Sequence, residues 1–293
     1  MLTVDPVTTL SRPALVVTAD LVEATVPAPE SLRPWLTELG RIPTIRDPAG
    51  SFAHVPQAAT TIVLRRQESA PRAAFVIGPQ TRARYYQPDK PAACLRLRLA
   101  PGAVRPLLGV PASALTDRVV RLTDLPGIAA GLAGELNELD ADEIFAFLKD
   151  QLPQRISEDA TRRAQRDILR SAVAALSARP DGRSMTALAR ELAVSERQLR
   201  NLFTAGIGVS PKHFARIGRV RRILSQVRAG TPVGGGEHEP PDATSLAQLA
   251  ADNGYFDQSH MTADFRTLMG VPPRSFLRGA VPTPSPCRPL DRI

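Results

Sequence analysis

The sequence predicts an α+β protein of two domains, in which a β-rich N-terminal domain with attached helices precedes an all-α C-terminal domain that contains two helix-turn-helix units. Three observations predict this class. Short apolar runs broken by Pro, Gly and Asp fill the chain to about residue 125, apolar residues take helical spacing from Gly127 onward, and two segments near the C-terminus repeat each other. We place the domains at 1–178 and 179–280, followed by a proline-rich tail, 281–293, that we expect to be disordered.

The composition is that of a globular protein with a polyanionic partner. Of the 293 residues, 43% are hydrophobic and 23% are charged, which suits about two domains. Neither a membrane-length apolar run nor a signal peptide is evident, so we expect a cytoplasmic protein with no membrane partner. Two cysteines, Cys94 and Cys287, indicate neither a disulfide framework nor a zinc site. The net charge of +8 favours a polyanion as partner.

Short apolar runs predict the strands of the N-terminal domain. Three of them lie at 14–18, 61–65 and 73–78. A fourth begins at Cys94, where Leu95, Leu97 and Leu99 alternate with arginines, so one face of that strand should be buried. Short helical turns should follow at 103–109 and 111–115.

Helical spacing predicts three further helices before the domain boundary. They lie at 128–136, 141–152 and 157–176. Asp140 and Ser157 are placed as N-caps of the second and third helices. The third helix carries four arginines that we expect to point outward: Arg162, Arg163, Arg166 and Arg170. Residues 178–182 then have the composition of an interdomain linker.

The C-terminal repeat is the most specific signal in the sequence. The first copy contains Leu188, Ala189, Leu199, Phe203, Gly208, Pro211 and Phe214, and the second contains Leu249, Ala250, Met261, Phe265, Gly270, Pro273 and Phe276. The offset between the copies is 61 residues at the start and 62 afterwards. We expect the extra residue in the turn, where Ala193 and Val194 correspond to 253–255.

Each copy fits two short helices around a tight turn. Ser184 and Ser195 are placed to cap the first pair, and Ser245 and Asp257 to open the second. The side chains left on the outside are those that read base edges in the major groove, since Arg forks onto guanine and Asn or Gln onto adenine. No Asp or Glu occurs from Arg197 to Gly236. The alternatives are a duplicated helical hairpin in an ordinary bundle, or a basic face that only meets solvent.

On these residues the C-terminal segment, 184–278, resembles the AraC/XylS family of bacterial transcription regulators. The motifs that carry the resemblance are 188–195, 196–203, 208–211, 254–265 and 270–273. The resemblance implies seven helices, with a central helix at 211–227 that holds two recognition helices about 34 Å apart in successive major grooves. By position, the base contacts are Arg197, Gln198, Arg200, Asn201, Gln258, Ser259 and Thr262. The phosphate contacts are Ser184, Lys212, Arg216, Arg221, Arg266 and Arg274.

Two features depart from the family pattern. Ala263 stands where the family often has an arginine, so we expect the first unit to dominate sequence specificity while the second mainly contacts the DNA backbone. The connection 230–244 is longer than usual in the family, and we interpret it as a tolerated surface insertion rather than an adaptive hinge.

The N-terminal half is similar, more loosely, to the sensor domains of a subgroup of these regulators, through 78–81 and 97–125. Such domains are often cupin-like barrels that bind an effector or pair subunits. A metal cupin is not expected, because His54 is the one histidine in this half. Trp35, Tyr85 and Tyr86 are candidates for the lining of a ligand pocket, with burial in an ordinary core as the alternative.

An enzyme is the competing class of function. Asp140, Asp142 and Glu143 form an acidic cluster, but they open a helix and suit its dipole. Cys94 lies in a strand pattern typical of a structural thiol. We therefore expect neither enzymatic activity nor a cofactor. Double-stranded DNA is the expected partner, and a small-molecule effector, RNA polymerase and a second copy of the chain are further candidates; a ligand-sensing module that does not bind DNA is the third alternative.

Overall fold

The computed structural model describes residues 17–18, 23–42, 52–67, 70–87, 93–178, 184–229 and 243–286. The strands are β1 (Val17–Thr18), β2 (Ala24–Pro27), β3 (Leu36–Ile42), β4 (Phe52–His54), β5 (Thr61–Gln67), β6 (Ala70–Ile77), β7 (Arg84–Gln87), β8 (Ala93–Leu99), β9 (Val119–Arg121) and β10 (Ser285–Pro286). The helices are α1 (Val104–Leu108), α2 (Ala133–Glu138), α3 (Ala141–Arg155), α4 (Ala160–Ala178), α5 (Met185–Glu191), α6 (Glu196–Gly206), α7 (Pro211–Ala229), α8 (Ala243–Asp252), α9 (Gln258–Met269) and α10 (Pro273–Leu277). The predicted α+β class, with strands first and helices after, is confirmed.

The strands predicted as a cupin-like barrel are arranged in two sheets. The larger sheet is antiparallel, in the order β2-β3-β8-β5-β6-β9. Its central strand β8 buries Leu95, Leu97 and Leu99, as their alternation predicts. On the arginine face, Arg96 is buried as well, because its guanidinium pairs with Glu23 at 2.8 Å. The leucine face packs against α1, α2 and α3 and forms the first apolar core.

The smaller sheet joins the two ends of the described chain. Its order is β1-β4-β7-β10, and β10 pairs in parallel with β7, with Ser285 opposite Tyr86 and Pro286 opposite Gln87. The expectation of a disordered tail is therefore wrong for residues up to 286, because the edge of β7 supplies main-chain partners that no local pattern reveals. Residues 287–293 lie outside the described residues.

The helices before residue 178 begin near the predicted positions but differ in one cap and one face. Asp140 caps α3 in a capping box with Glu143, as expected. Ser157 does not cap α4; the Asp159 carboxylate accepts from Arg162 N instead. Arg166, predicted to point outward, is buried, and its pairing with Glu158 at 2.7 Å offsets the loss of hydration.

Helix α4 packs with the first helix pair of the C-terminal half. Leu169, Ala172 and Leu176 share an apolar core with residues of α5 and α6, among them Leu188 and Phe203. In packing terms α4 thus joins the helical region, although the prediction assigns it to the N-terminal domain. The predicted linker, 178–182, falls almost wholly outside the described residues. Within the described ranges, no helix combines the length and apolarity needed to cross a membrane.

Candidate nucleic-acid interface

The first helix-turn-helix unit consists of α5 and α6. Leu188, Leu199 and Phe203 are buried, as the repeat predicts. Ser195 caps α6 by accepting from Gln198 N at 3.1 Å. The turn contains Ala193 in the left-handed region, at φ +53°, which costs an alanine conformational energy that a glycine would avoid.

The second unit, α8 and α9, is built in the same way. Met261 and Phe265 are buried, and the Asp257 carboxylate caps α9 by accepting from His260 N at 2.7 Å. Gly254 takes the left-handed position of this turn, at φ +69°. Ser245, expected to open the first helix, lies inside α8, which begins at Ala243.

The extra residue of the second copy lies after the turn and not within it. Val194 N donates to Ala189 O in the first turn, and Tyr255 N donates to Ala250 O in the second, so both turns keep the offset of 61. The offset changes at Phe256, which lies between Tyr255 and the cap Asp257. Phe256 is 94% exposed, so the insertion leaves the packing of both helices intact.

The side chains predicted to read bases lie on the surface. Arg197, Gln198, Arg200, Asn201 and Ser259 are exposed, while Gln258 and Thr262 are partly exposed. Ala263 of α9 is exposed too, so the surface of this helix carries a methyl group at that position. Both recognition helices therefore direct polar side chains to solvent, as the prediction requires.

Two of the six predicted phosphate contacts are engaged within the protein. Arg216 Nε lies 2.8 Å from Asp264 Oδ1, and Arg221 Nη1 donates to Pro56 O at 3.3 Å. Each of these two arginines has a partner distant in sequence, and its contact with phosphate stays a prediction. The other four predicted contacts are exposed: Ser184, Lys212, Arg266 and Arg274.

Asp264 was missed by the sequence analysis, although it links the central helix to the second recognition helix. It lies on α9, is buried, and receives Arg216 and also Arg219, whose Nη2 is 3.2 Å from Asp264 Oδ2. The Arg219 guanidinium also lies over the Tyr255 ring, 4.8 Å from its centroid. Burial raises the pKa of the Tyr255 hydroxyl. The sequence offers one indication of this role: the repeat places the carboxylate of Asp264 where the first copy has Leu202.

The three aromatic residues predicted to line a ligand pocket do not share one site. Trp35 lies beside the larger sheet, where the Arg166 guanidinium stacks over its ring at 4.3 Å. Tyr85 is buried in the core between the smaller sheet and the C-terminal helices, and this burial raises the pKa of its hydroxyl. Tyr86 meets His54 edge to face. The alternative of ordinary packing therefore describes Tyr85, and a ligand contact of Trp35 or Tyr86 stays a prediction.

The N-terminal domain holds the C-terminal ends of both recognition helices at equivalent carbonyl groups. Gly102 N donates to Gly206 O at 3.2 Å, and Ala83 N donates to Leu268 O at 2.7 Å. Gly206 and Leu268 are related by the repeat offset of 62. The last carbonyls of a helix lack partners within it, so these bonds satisfy both helix ends and fix them to the same domain.

Side-chain hydroxyl groups add a second bond beside each of these contacts. Thr116 Oγ1 donates to Gly208 O at 2.8 Å, and the Tyr85 hydroxyl donates to Met269 O at 2.7 Å. Gly208 has φ +91°, and a Cβ there would lie 2.7 Å from Pro79 Cγ and 2.9 Å from Ala112 O. The chain after α6 therefore approaches the N-terminal domain more closely than any side chain allows.

One family model matches the N-terminal half of the chain. Residues 24–121 match DUF6597. This family is described as a domain of unknown function, and the match spans β2 to β9. A search of curated proteins finds no match to the chain.

Solved structures of ToxT from Vibrio cholerae are similar to the chain at low identity. ToxT from strain O395 is 10% identical, with 84% of this chain and 97% of that chain covered, at a TM-score of 0.39. Apo ToxT from strain SCE256 is 12% identical, with 86% and 98% covered, at a TM-score of 0.41.

Proposed function

We propose that the chain is a sequence-specific DNA-binding transcription regulator of the AraC/XylS type, and not an enzyme. One observation carries the proposal: two helix pairs of the same construction each bury their apolar repeat positions and present arginine, amide or hydroxyl side chains to solvent. Arginine and amide groups at the start of a recognition helix can reach base edges in the major groove. The exposed Lys212, Arg266 and Arg274 supply charge for phosphate contacts.

In this proposal the N-terminal domain controls the positions of the two recognition helices, α6 and α9. Its backbone and hydroxyl donors bind the ends of α6 and α9, so a change in this domain shifts both helices together. An effector or a second subunit would act through these contacts. Binding to RNA polymerase would follow once the regulator is bound beside a promoter.

Mapping of binding sites across a bacterial genome with the purified protein tests the function. We expect sites of two unlike boxes about one helical turn apart, and affinity that falls steeply with salt, by about 0.9 in log K per log unit of salt for each phosphate contacted. Affinity that does not depend on salt would exclude phosphate binding and favour the sensing module without DNA.

Arg200→Ala tests the contribution of the first unit to specificity. We expect a loss of about 1–3 kcal/mol in discrimination at one base pair of the mapped site, measured by fluorescence anisotropy on matched and mismatched duplexes. Arg33→Ala, which removes the charge of an exposed arginine in the N-terminal domain, is the control and should leave discrimination unchanged. Loss of discrimination in Thr262→Ala but not in Arg200→Ala would reverse the proposed dominance of the first unit.

A further inference from the structure

A cavity of about 410 Å³ lies where the first recognition helix meets the junction of α3 and α4. Its lining includes Gly102, Arg105 and Ile128 from the N-terminal half, and Leu202, Ala205 and Gly206 from α6. The volume falls within the range of about 300–1,000 Å³ that small-molecule sites occupy. None of the aromatic residues considered for a ligand pocket lines this cavity.

The charged lining of the cavity is strongly positive. It consists of four arginines and one carboxylate: Arg105, Arg155, Arg162, Arg166 and Glu158. Two of these arginines already have acidic partners, since Arg166 pairs with Glu158 at 2.7 Å and Arg162 pairs with Asp159 at 3.3 Å. Arg105 and Arg155 have no acidic partner among the described residues; Arg155 donates to the neutral Gln151 side chain at 3.0 Å. Two exposed guanidinium groups of the lining are therefore available to an anion.

Arg166 provides a second, independent indication of a ligand. Its side chain is 7% exposed, lines the cavity, and stacks on Trp35, yet its Nε has no hydrogen-bond partner in the described part of the chain. A buried donor of a charged group without a partner costs free energy, and a bound acceptor would recover it.

The rest of the lining is apolar. Pro106, Ile128, Leu169 and Leu202 contribute hydrocarbon surface beside the arginines. A fully hydrated inorganic ion would leave this surface uncovered, whereas an organic anion with an apolar body would bury it.

We propose that this cavity binds a small amphipathic organic anion, whose carboxylate or phosphate group pairs with Arg105 and Arg155 and whose apolar body lies against Ile128, Leu169 and Leu202. Such a ligand touches both sides of the Gly102–Gly206 hydrogen bond and so favours the docked position of α6. The proposal concerns binding and docking, and it holds whether or not the helices read DNA.

Isothermal titration of the full chain with 4-phenylbutyrate tests the proposal, with 4-phenylbutanol as the uncharged analogue and phenyl phosphate as the second anion. We expect saturable binding of at least one of the two anions and none of the alcohol. Arg155→Gln should weaken binding about tenfold or more, because it removes one charge-assisted contact. Arg170→Gln is the matched control: this arginine lies on α4 outside the cavity lining, and its loss should leave affinity within about twofold.

Hydrogen exchange of backbone amides in the same samples measures whether α6 is docked on the N-terminal half. The bound anion should slow exchange in residues 202–206, because Leu202, Ala205 and Gly206 line the cavity. The proposal fails if neither anion binds saturably at millimolar concentration, if the alcohol binds as well as the anions, or if Arg170→Gln and Arg155→Gln weaken binding equally. Inorganic phosphate is added as a further titrant, and its binding with the same affinity as phenyl phosphate would overturn the role of the apolar wall.

Discussion

At the scale of single residues, the candidate interface depends on polar groups whose partners lie far away in sequence. Asp264 connects α9 to α7 through Arg216 and Arg219, which lie 48 and 45 residues away. The carboxylate is 5% exposed, so it needs these cations to offset the loss of hydration. The second recognition helix is therefore oriented by charge as well as by its apolar face.

Asp264→Asn should lower the free energy of unfolding by about 2 kcal/mol, because two arginines lose the charge of their shared acceptor in a partly buried site. Chemical denaturation measures this loss. Asp252→Asn is the control, since its carboxylate is exposed and accepts only from Gln248 among the hydrogen bonds described, and we expect a change within about 0.5 kcal/mol. Equal losses in the two variants would contradict the role assigned to Asp264.

At the scale of elements, local patterns predicted the helix pairs and most of their caps. Ser195, Asp257 and Asp140 cap the helices they were expected to cap, because a cap depends on residues three positions apart. The errors fall where partners are distant. Arg166 looks exposed in the sequence, but it is buried and its guanidinium lies over the Trp35 ring. The last described residues look disordered, but Ser285 and Pro286 pair with β7.

The repeat pattern also could not determine the position of the extra residue in the second copy. Aligning the repeat on its apolar residues fixes the offset before and after the turn, yet several placements between them satisfy the same pattern. Only the backbone bonds of Val194 and Tyr255 decide that the insertion is Phe256.

Gly208→Ala should destabilise the protein by roughly 2 kcal/mol, because an alanine at φ +91° is strained and its Cβ would meet Pro79 and Ala112. Gly218→Ala in the interior of α7 is the control with the opposite sign. No atom lies within 4 Å of a Cβ built there, so helix propensity should raise stability by about 0.5–1 kcal/mol. Thermal and urea unfolding measure both variants; a stabilising effect of Gly208→Ala would argue against the close approach of the two domains.

At the scale of the whole molecule, the helices α6 and α9 pack together with the sheets. The second apolar core contains Ala53, Val55 and Tyr85 of the N-terminal half together with residues of α7, α8 and α9. The domain division predicted from composition does not reveal this shared core, since composition describes segments and not their contacts. Motion of one domain against the other must therefore break apolar packing and the main-chain bonds at both helix ends.

His213 of α7 makes the packing of this helix against the N-terminal half sensitive to pH. Burial and the nearby Arg216 guanidinium lower the pKa of its imidazole below the usual 6.5, although the Thr81 backbone and the Asp117 and Asp264 carboxylates oppose the shift. The unfolded chain therefore binds more protons than the folded chain just below pH 6.5, so acidification destabilises the fold there.

The thermal stability of the wild-type chain should fall between pH 7.5 and pH 5.5, and it should fall less in His213→Gln. We expect the difference between the two to stay under about 1 kcal/mol, because the imidazole is only half-buried. Gln198→Ala, at an exposed side chain that does not titrate, is the control and should retain the full pH dependence. Identical pH profiles for the wild-type chain and His213→Gln would show that this histidine does not cause the pH dependence.

The pairing of β10 with β7 has a practical consequence for labelling. A fluorophore attached at Ser285 remains beside Tyr86 while the two strands stay paired. A second dye on the tip of a recognition helix would then report separation of the helices from the sheet as a fall in energy transfer. Detachment of the final strand alone would instead move only the C-terminal dye, and a third label on the sheet would distinguish the two movements.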